Sequence, residues 1–173
     1  MQRLCVVLVA ALAACGPPSP IAVVRLGDET LRFQSGSVGF AGGGKDPVVL
    51  RFVANERPGA AEGHALELQV VEQPGTTPAG FANHGYAGAV RAPSDPLQVR
   101  TGQIAAPVAP ARAALVILRS TATGPGSTST EVIPIDKLAL QISAATTGTL
   151  TAQGTGTFLG DLEVPMSFQI ELR

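Results

Sequence analysis

Two histidines, two cysteines and thirteen carboxylates are the side chains of this 173-residue chain with the most obvious chemistry. His64 and His84 are the only imidazoles, so a histidine-based triad or zinc site must use one of them. Glu62 and His64 stand two apart, which on a strand places both side chains on one face. Two ligands do not make a zinc site, which takes three or four from the protein. A hydrolase could pair either histidine with the loop acids Asp28, Glu29, Glu56, Glu62 or Asp95, but the sequence has no Gly-x-Ser-x-Gly elbow to present a serine. No Asp-x-Asp-x-Asp series gathers oxygens for calcium. Gly39, Gly44 and Lys45 nearly spell a phosphate loop, which fails at the next position. Asp46 stands where a magnesium-binding Ser or Thr is needed, and Pro47 biases it toward extended backbone instead of a helix. The segment reads as a flexible turn before a strand, and no cofactor or metal is expected.

The cysteines point elsewhere. Met1-Gln2-Arg3 is followed by an uncharged apolar run from Leu4 to Ala14, too short for a spanning helix of roughly 20 residues and suited to a signal-peptide core of about 7 to 15. The run ends in Leu12-Ala13-Ala14-Cys15, which resembles the lipobox of bacterial lipoproteins. The resemblance covers the N-terminal segment alone. It implies that residues 1–14 are removed and that the Cys15 thiol carries a thioether-linked diacylglycerol, with two or three acyl chains holding the protein at a membrane. Each buried methylene contributes about 0.8 kcal/mol, so more than one chain gives stable anchoring. Gly16 in place of an aspartate after the cysteine favours the outer membrane in a double-membraned host. Gly16-Pro17-Pro18-Ser19-Pro20 reads as a stiffened, extended tether, so residues 15–20 join anchor to domain.

What remains, residues 21–173, has the length of one ordinary domain, able to form a core without covalent staples. Cys5 leaves with the leader and Cys15 is acylated, so no thiol is left for a disulfide, a metal or a nucleophile. The whole chain has a net charge of −1 without runs of like charge, which argues against nucleic acid as partner. No Trp and a single Tyr86 weaken the case for a sugar-stacking face.

The elements that must position any site are strands. Val164, Met166, Phe168, Ile170 and Leu172 alternate with polar neighbours, and Leu150 to Phe158 alternates before them, so residues 148 to 172 read as a long hairpin turning at Gly160-Asp161. Ile21 to Leu26 and Thr30 to Gln34 flank Gly27-Asp28, a pair suited to a type II′ turn. Val48 to Ala54, Leu66 to Val70, Leu97 to Arg100, Glu131 to Ile135 and Leu138 to Ile142 read as further strands. Ala113 to Leu118, uniformly apolar, reads as one covered on both faces. Pro107 and Pro110 make Gln103 to Arg112 a crossing loop, not a helix. The expectation is a single antiparallel β-sandwich of about nine strands. A membrane-inserted barrel is disfavoured, because most strands are short and aromatic girdles are missing.

The long segment from Gln73 to Gly88 carries Phe81, Asn83, His84 and Tyr86 among glycines and prolines, and recognition often sits on such loops. The competing reading is that both rings tuck into the end of the sandwich. The function expected is a lipid-anchored cell-envelope protein that binds or scaffolds an envelope protein or polymer without catalysis. The alternatives are an anchored hydrolase using His64 or His84, and an assembly subunit paired through an edge strand such as the C-terminal one, with Pro165 blunting that edge.

Overall fold

Period-two alternation builds ten strands in the computed structural model, which describes residues 19–88, 113–158 and 164–173. They are β1 (Ala22–Leu26), β2 (Glu29–Phe33), β3 (Ser35–Gly43), β4 (Asp46–Asn55) and β5 (Gly63–Glu72), then β6 (His84–Gly88), β7 (Ala113–Gly124), β8 (Ser127–Thr146), β9 (Thr149–Phe158) and β10 (Val164–Leu172). They form an antiparallel sandwich. The first sheet runs β2-β1-β10-β9-β8-β6, and the second runs β8-β7-β5-β4-β3. The expected leader and tether up to residue 18, the expected strand Leu97–Arg100, the crossing loop 103–112 and the Gly160-Asp161 turn lie outside the described residues.

The strand order returns on itself, because among the described residues the chain passes from one sheet to the other three times: between β2 and β3, through residues 73–83 between β5 and β6, and along β8. Between β2 and β3 stands only Gln34, whose N–H donates to the Asn55 carbonyl at 2.9 Å. β8 is a passage within a single strand. Its first half pairs with β7 as far as Pro134, and from Ile135 onward it pairs with β9. The register slips between Asp136 and Ala139, and Lys137 sits at φ 49°, so a bulge re-aims the strand. Inward residues change from Ile133 and Ile135 to Leu138, Leu140 and Ile142, keeping the apolar row on the core side of both sheets. The two runs expected from sequence are therefore one strand of 20 residues.

The hairpins at the two ends of the domain pair with each other: β1 lies against β10 with Ala22 opposite Ile170 and Leu26 opposite Met166. β10 thus has β1 on one side and β9 on the other, which corrects its expected role as an edge. Gly27 at φ 57° takes the left-handed first position that a type II′ turn gives to glycine.

Between the sheets lies an apolar core with Phe33, Phe52, Leu50, Leu66, Ile117 and Ile142 fully enclosed. Each such side chain contributes roughly 1.5–3 kcal/mol of transfer free energy. Ala113 to Leu118 is buried throughout, as its uniform composition implies. Glu67, which alternates with Leu66 and Leu68, is only 5% exposed, with Arg51 at 3.5 Å. On the first sheet the outward positions carry Arg25, Arg32, Gln141, Gln153 and Gln169, all exposed, so apolar groups face in and polar groups face out. A barrel bedded in lipid needs the opposite arrangement.

The glycine-rich segment, expected as a turn before a strand, turns at Gly44-Lys45 directly before β4. β3 extends through it with a bulge between Ala41 and Gly43, and a Cβ at Gly42 would lie 2.0 Å from the Pro47 carbonyl oxygen. β4, not a helix, follows, so no phosphate cradle forms.

Candidate functional site

The outward face of the first sheet is concave. Register places Gln141, Gln153 and Gln169 side by side on β8, β9 and β10, and continues the row through Val23 on β1 to Arg32 on β2. The next row runs Ala139, Thr155, Ser167, Arg25 and Thr30. Together with Gly85 and Ala87 of β6 these residues line a trough of about 900 Å³. Neighbouring strands lie about 4.8 Å apart, so the row from Gln141 to Arg32 crosses roughly 19 Å. Gly85, Ala87 and Ala139 keep one end low. At the other end stand two guanidinium groups, and among the described residues no carboxylate belongs to the lining.

Gly154 lies beneath the floor, on the core side of β9 between Leu140 and Phe168. A Cβ there would lie 2.4 Å from the Ala139 carbonyl oxygen and 2.6 Å from the Phe168 ring, so only a glycine lets β8 and the ring close on this point.

A second hollow of about 680 Å³ continues past β6, sharing Gly85, Tyr86 and Ala87 with the trough and adding Glu72, Asn83 and His84. Of the four loop residues singled out from sequence, Asn83, His84 and Tyr86 line this hollow and Phe81 does not. Phe81, closing the 3-10 turn Pro78–Phe81, is fully buried and packs on Phe40 with centroids 5.5 Å apart. Tyr86 is 5% exposed and its hydroxyl donates to the Phe81 carbonyl at 3.3 Å. Both rings fasten the loop to the sandwich. Asn83, exposed at φ 62°, takes the left-handed turn position that asparagine tolerates, and its N–H donates to the Ile142 carbonyl at 2.8 Å. That bond starts β6 along β8 and turns the His84 ring outward, 58% exposed and 4.0 Å from the Glu72 carboxylate. The segment read as irregular is thus ordered by one turn and one short strand.

His64 has a different setting, at one end of the sandwich. Its Nδ1 lies 2.8 Å from Glu56 Oε2, and the same oxygen accepts the His64 N–H at 3.1 Å. Burial raises the Glu56 carboxyl, but the hydrogen bonds from the His64 ring and main chain, with the electrostatic attraction of His64 and then Arg57, outweigh it and hold the group below its ordinary range. The Arg119 Nε–H donates to His64 Nε2 at 3.1 Å. A nitrogen that accepts from a guanidinium carries no proton, so the ring proton sits on Nδ1, facing Glu56. Both nitrogens are engaged, which leaves no lone pair to draw a proton from a nucleophile. Arg119 also reaches Glu131 at 3.7 Å and, from the other sheet, Glu29 at 3.9 Å, so the cluster ties the two layers together. Neither hollow is lined by His64. Glu62 does not share its face: β5 starts at Gly63, and Glu62 instead accepts the Ala122 N–H at 3.1 Å. No group of three or more His, Cys, Asp or Glu able to hold a metal occurs among the described residues.

Sequence reading located the loop and missed the trough. Arg25, Arg32 and the three glutamines are scattered over five strands, each an ordinary polar position in an alternating run. Only the strand order makes them neighbours.

The fold and its surface define an all-β sandwich with one amide- and arginine-lined face. No family model matches the chain, no curated protein matches it, and no solved structure matches it.

Proposed function

We propose that the chain is a lipid-anchored cell-envelope protein, held at a membrane through acylated Cys15, whose sandwich binds an extended polar ligand in the trough of its first sheet without transforming it. The trough carries this reading. It offers many donors and acceptors on a rigid sheet, spread over a length that suits a strand-like ligand better than a small molecule. The two open hollows meet at β6, so a ligand can run from the arginines to Asn83 and His84. The lipobox residues Leu12 to Cys15 support the anchor.

Hydrolysis has its best support in the His64–Glu56 pair, and the Arg119 bond to Nε2 speaks against it. Assembly through strand pairing has a candidate edge in β6, which among the described residues pairs with β8 alone.

Two measurements test the proposal. Mass spectrometry of the mature N-terminus should find diacylglycerol on Cys15, and an unmodified N-terminus elsewhere removes the anchor. Ala139→Trp fills the trough from an exposed position and should abolish retention of envelope material by the purified protein while leaving its thermal melt unchanged. Undiminished retention places binding elsewhere.

A further inference from the structure

The charge of the trough narrows its ligand. Arg25 and Arg32 lie on neighbouring strands, with Arg25 opposite Thr30 and Arg32 opposite Val23, so they are diagonal neighbours on one face, about 7–8 Å apart at the backbone. Both are exposed, and neither has an ion-pair partner among the described residues. The carboxylate next along this face, Glu171, accepts from Gln169 Nε2 at 2.7 Å and lies 3.7 Å from Arg173. Two like charges held side by side without a counter-charge among the described residues favour an anion placed between them, and the planar guanidinium fork matches a carboxylate bidentately.

The other described residues of the trough are neutral. Gln141 and Gln153 present both halves of their amides, Gln169 keeps its carbonyl oxygen, and Thr155 adds a hydroxyl. Such a row exchanges hydrogen bonds with hydroxyl groups, which both donate and accept. A polyphosphate only accepts, so it would leave the amide carbonyls unmet and find two cations for its many charges, and among the described residues there is no exposed ring in the trough on which a nucleobase could stack, since Phe168 and Tyr86 are buried.

Resting on the reading of the trough as the binding face, we infer that its ligand is a uronate-bearing polysaccharide: a chain of hydroxyl-rich sugars whose carboxylate is clamped by Arg25 and Arg32 while neighbouring hydroxyls lie along Gln153 and Gln141. One cation pair at one end of a long neutral row matches a polymer with few charges among many hydroxyls. The arginines select charge, and the amides select the sugar.

The test uses the full-length protein in detergent, titrated calorimetrically with an oligogalacturonate of defined length, its carboxyl-reduced neutral counterpart and inorganic polyphosphate. The oligogalacturonate should bind at least tenfold more tightly than either comparator. Arg25→Gln and Arg32→Gln should each weaken it about tenfold, as expected for loss of a charge-assisted contact. Neither should alter binding of the neutral sugar. Gln153→Ala should weaken both sugars alike. Equal binding of the acidic and neutral sugars overturns the carboxylate clamp and leaves the trough as a neutral glycan site. Equal or tighter binding of polyphosphate overturns the sugar assignment. If no sugar binds and the amide-proton spectrum of the trough residues is unchanged by every probe, the inference fails together with the reading beneath it.

Discussion

Two strand glycines, given the same added methyl, should respond with opposite sign. At Gly154 on β9 a Cβ meets the Ala139 carbonyl oxygen at 2.4 Å and the Phe168 ring at 2.6 Å, and the nearer of these is backbone, which cannot swing aside. Overfilling a packed site of this kind costs about 1–3 kcal/mol. The lower entropy of the unfolded chain with alanine returns about 0.4–1 kcal/mol. The net loss is about 1–2 kcal/mol, and in a domain of this size each kcal/mol moves Tm by about 2–4 °C, so Gly154→Ala should lower Tm by about 2–8 °C. At Gly39 on β3 a Cβ meets nothing within 4 Å, and the backbone is outside the left-handed region. Only the entropic term then remains, and Gly39→Ala should raise Tm by about 1–4 °C. Calorimetric melts of the two variants beside the parent provide the assay. A Gly154→Ala protein as stable as the parent, or shifts of the same sign at both positions, would refute the close approach of β8 and the Phe168 ring to β9 beneath the trough.

The Glu56 cluster should set part of the acid stability. Because its carboxyl is held below the ordinary range in the folded state, the unfolded chain takes up its proton first as pH falls. The stabilisation is full above the ordinary glutamate pKa of about 4.3 and fades as pH drops through the lower folded value. Melts between pH 7 and pH 3 should therefore show a shallower acid loss in Glu56→Gln than in the parent, and parallel curves would count against the pairing with His64. The loop should depend on Phe81 far more than on the Tyr86 hydroxyl. Phe81→Ala is expected to cost about 3–5 kcal/mol and Tyr86→Phe about 1 kcal/mol in urea unfolding, and similar losses would contradict the packing. Phe81→Ala should also speed hydrogen exchange at the Asn83 amide, which donates to Ile142.

Much of this architecture is legible in the residues, because alternation reports burial directly. The outer hairpins, the doubly covered Ala113–Leu118 and the inward row of β10 all follow from it. Even the β8 bulge leaves a trace, since inward apolar residues shift from odd to even numbers between Ile135 and Leu138. Pro134 and Asp136 interrupt the alternation there, which divides one strand into two apparent ones. β3 and β6 escape notice for another reason: Gly36, Gly39, Gly42 and Gly43 in one, and Gly85 and Gly88 in the other, give no side-chain periodicity to read. Their strand character comes from partners. Glu67 escapes because a charged residue in an alternating run reads as wet, whereas tertiary packing withdraws it from solvent beside Arg51. The candidate loop is visible through its composition, but the fate of its rings depends on Phe40 and the main chain around them. The trough is a property of register across six strands, and pairing order is not written in any one of them.

A photo-crosslinking residue placed in living cells at position 139, on the trough floor, and at position 129, on the exposed β7–β8 hairpin, tests the account most directly. The account predicts a membrane-fraction protein that captures a reproducible envelope polymer from position 139 and not from position 129, with capture lost in Arg25→Gln/Arg32→Gln. Equal capture from both positions, or none from 139 while 129 is occupied, would contradict it.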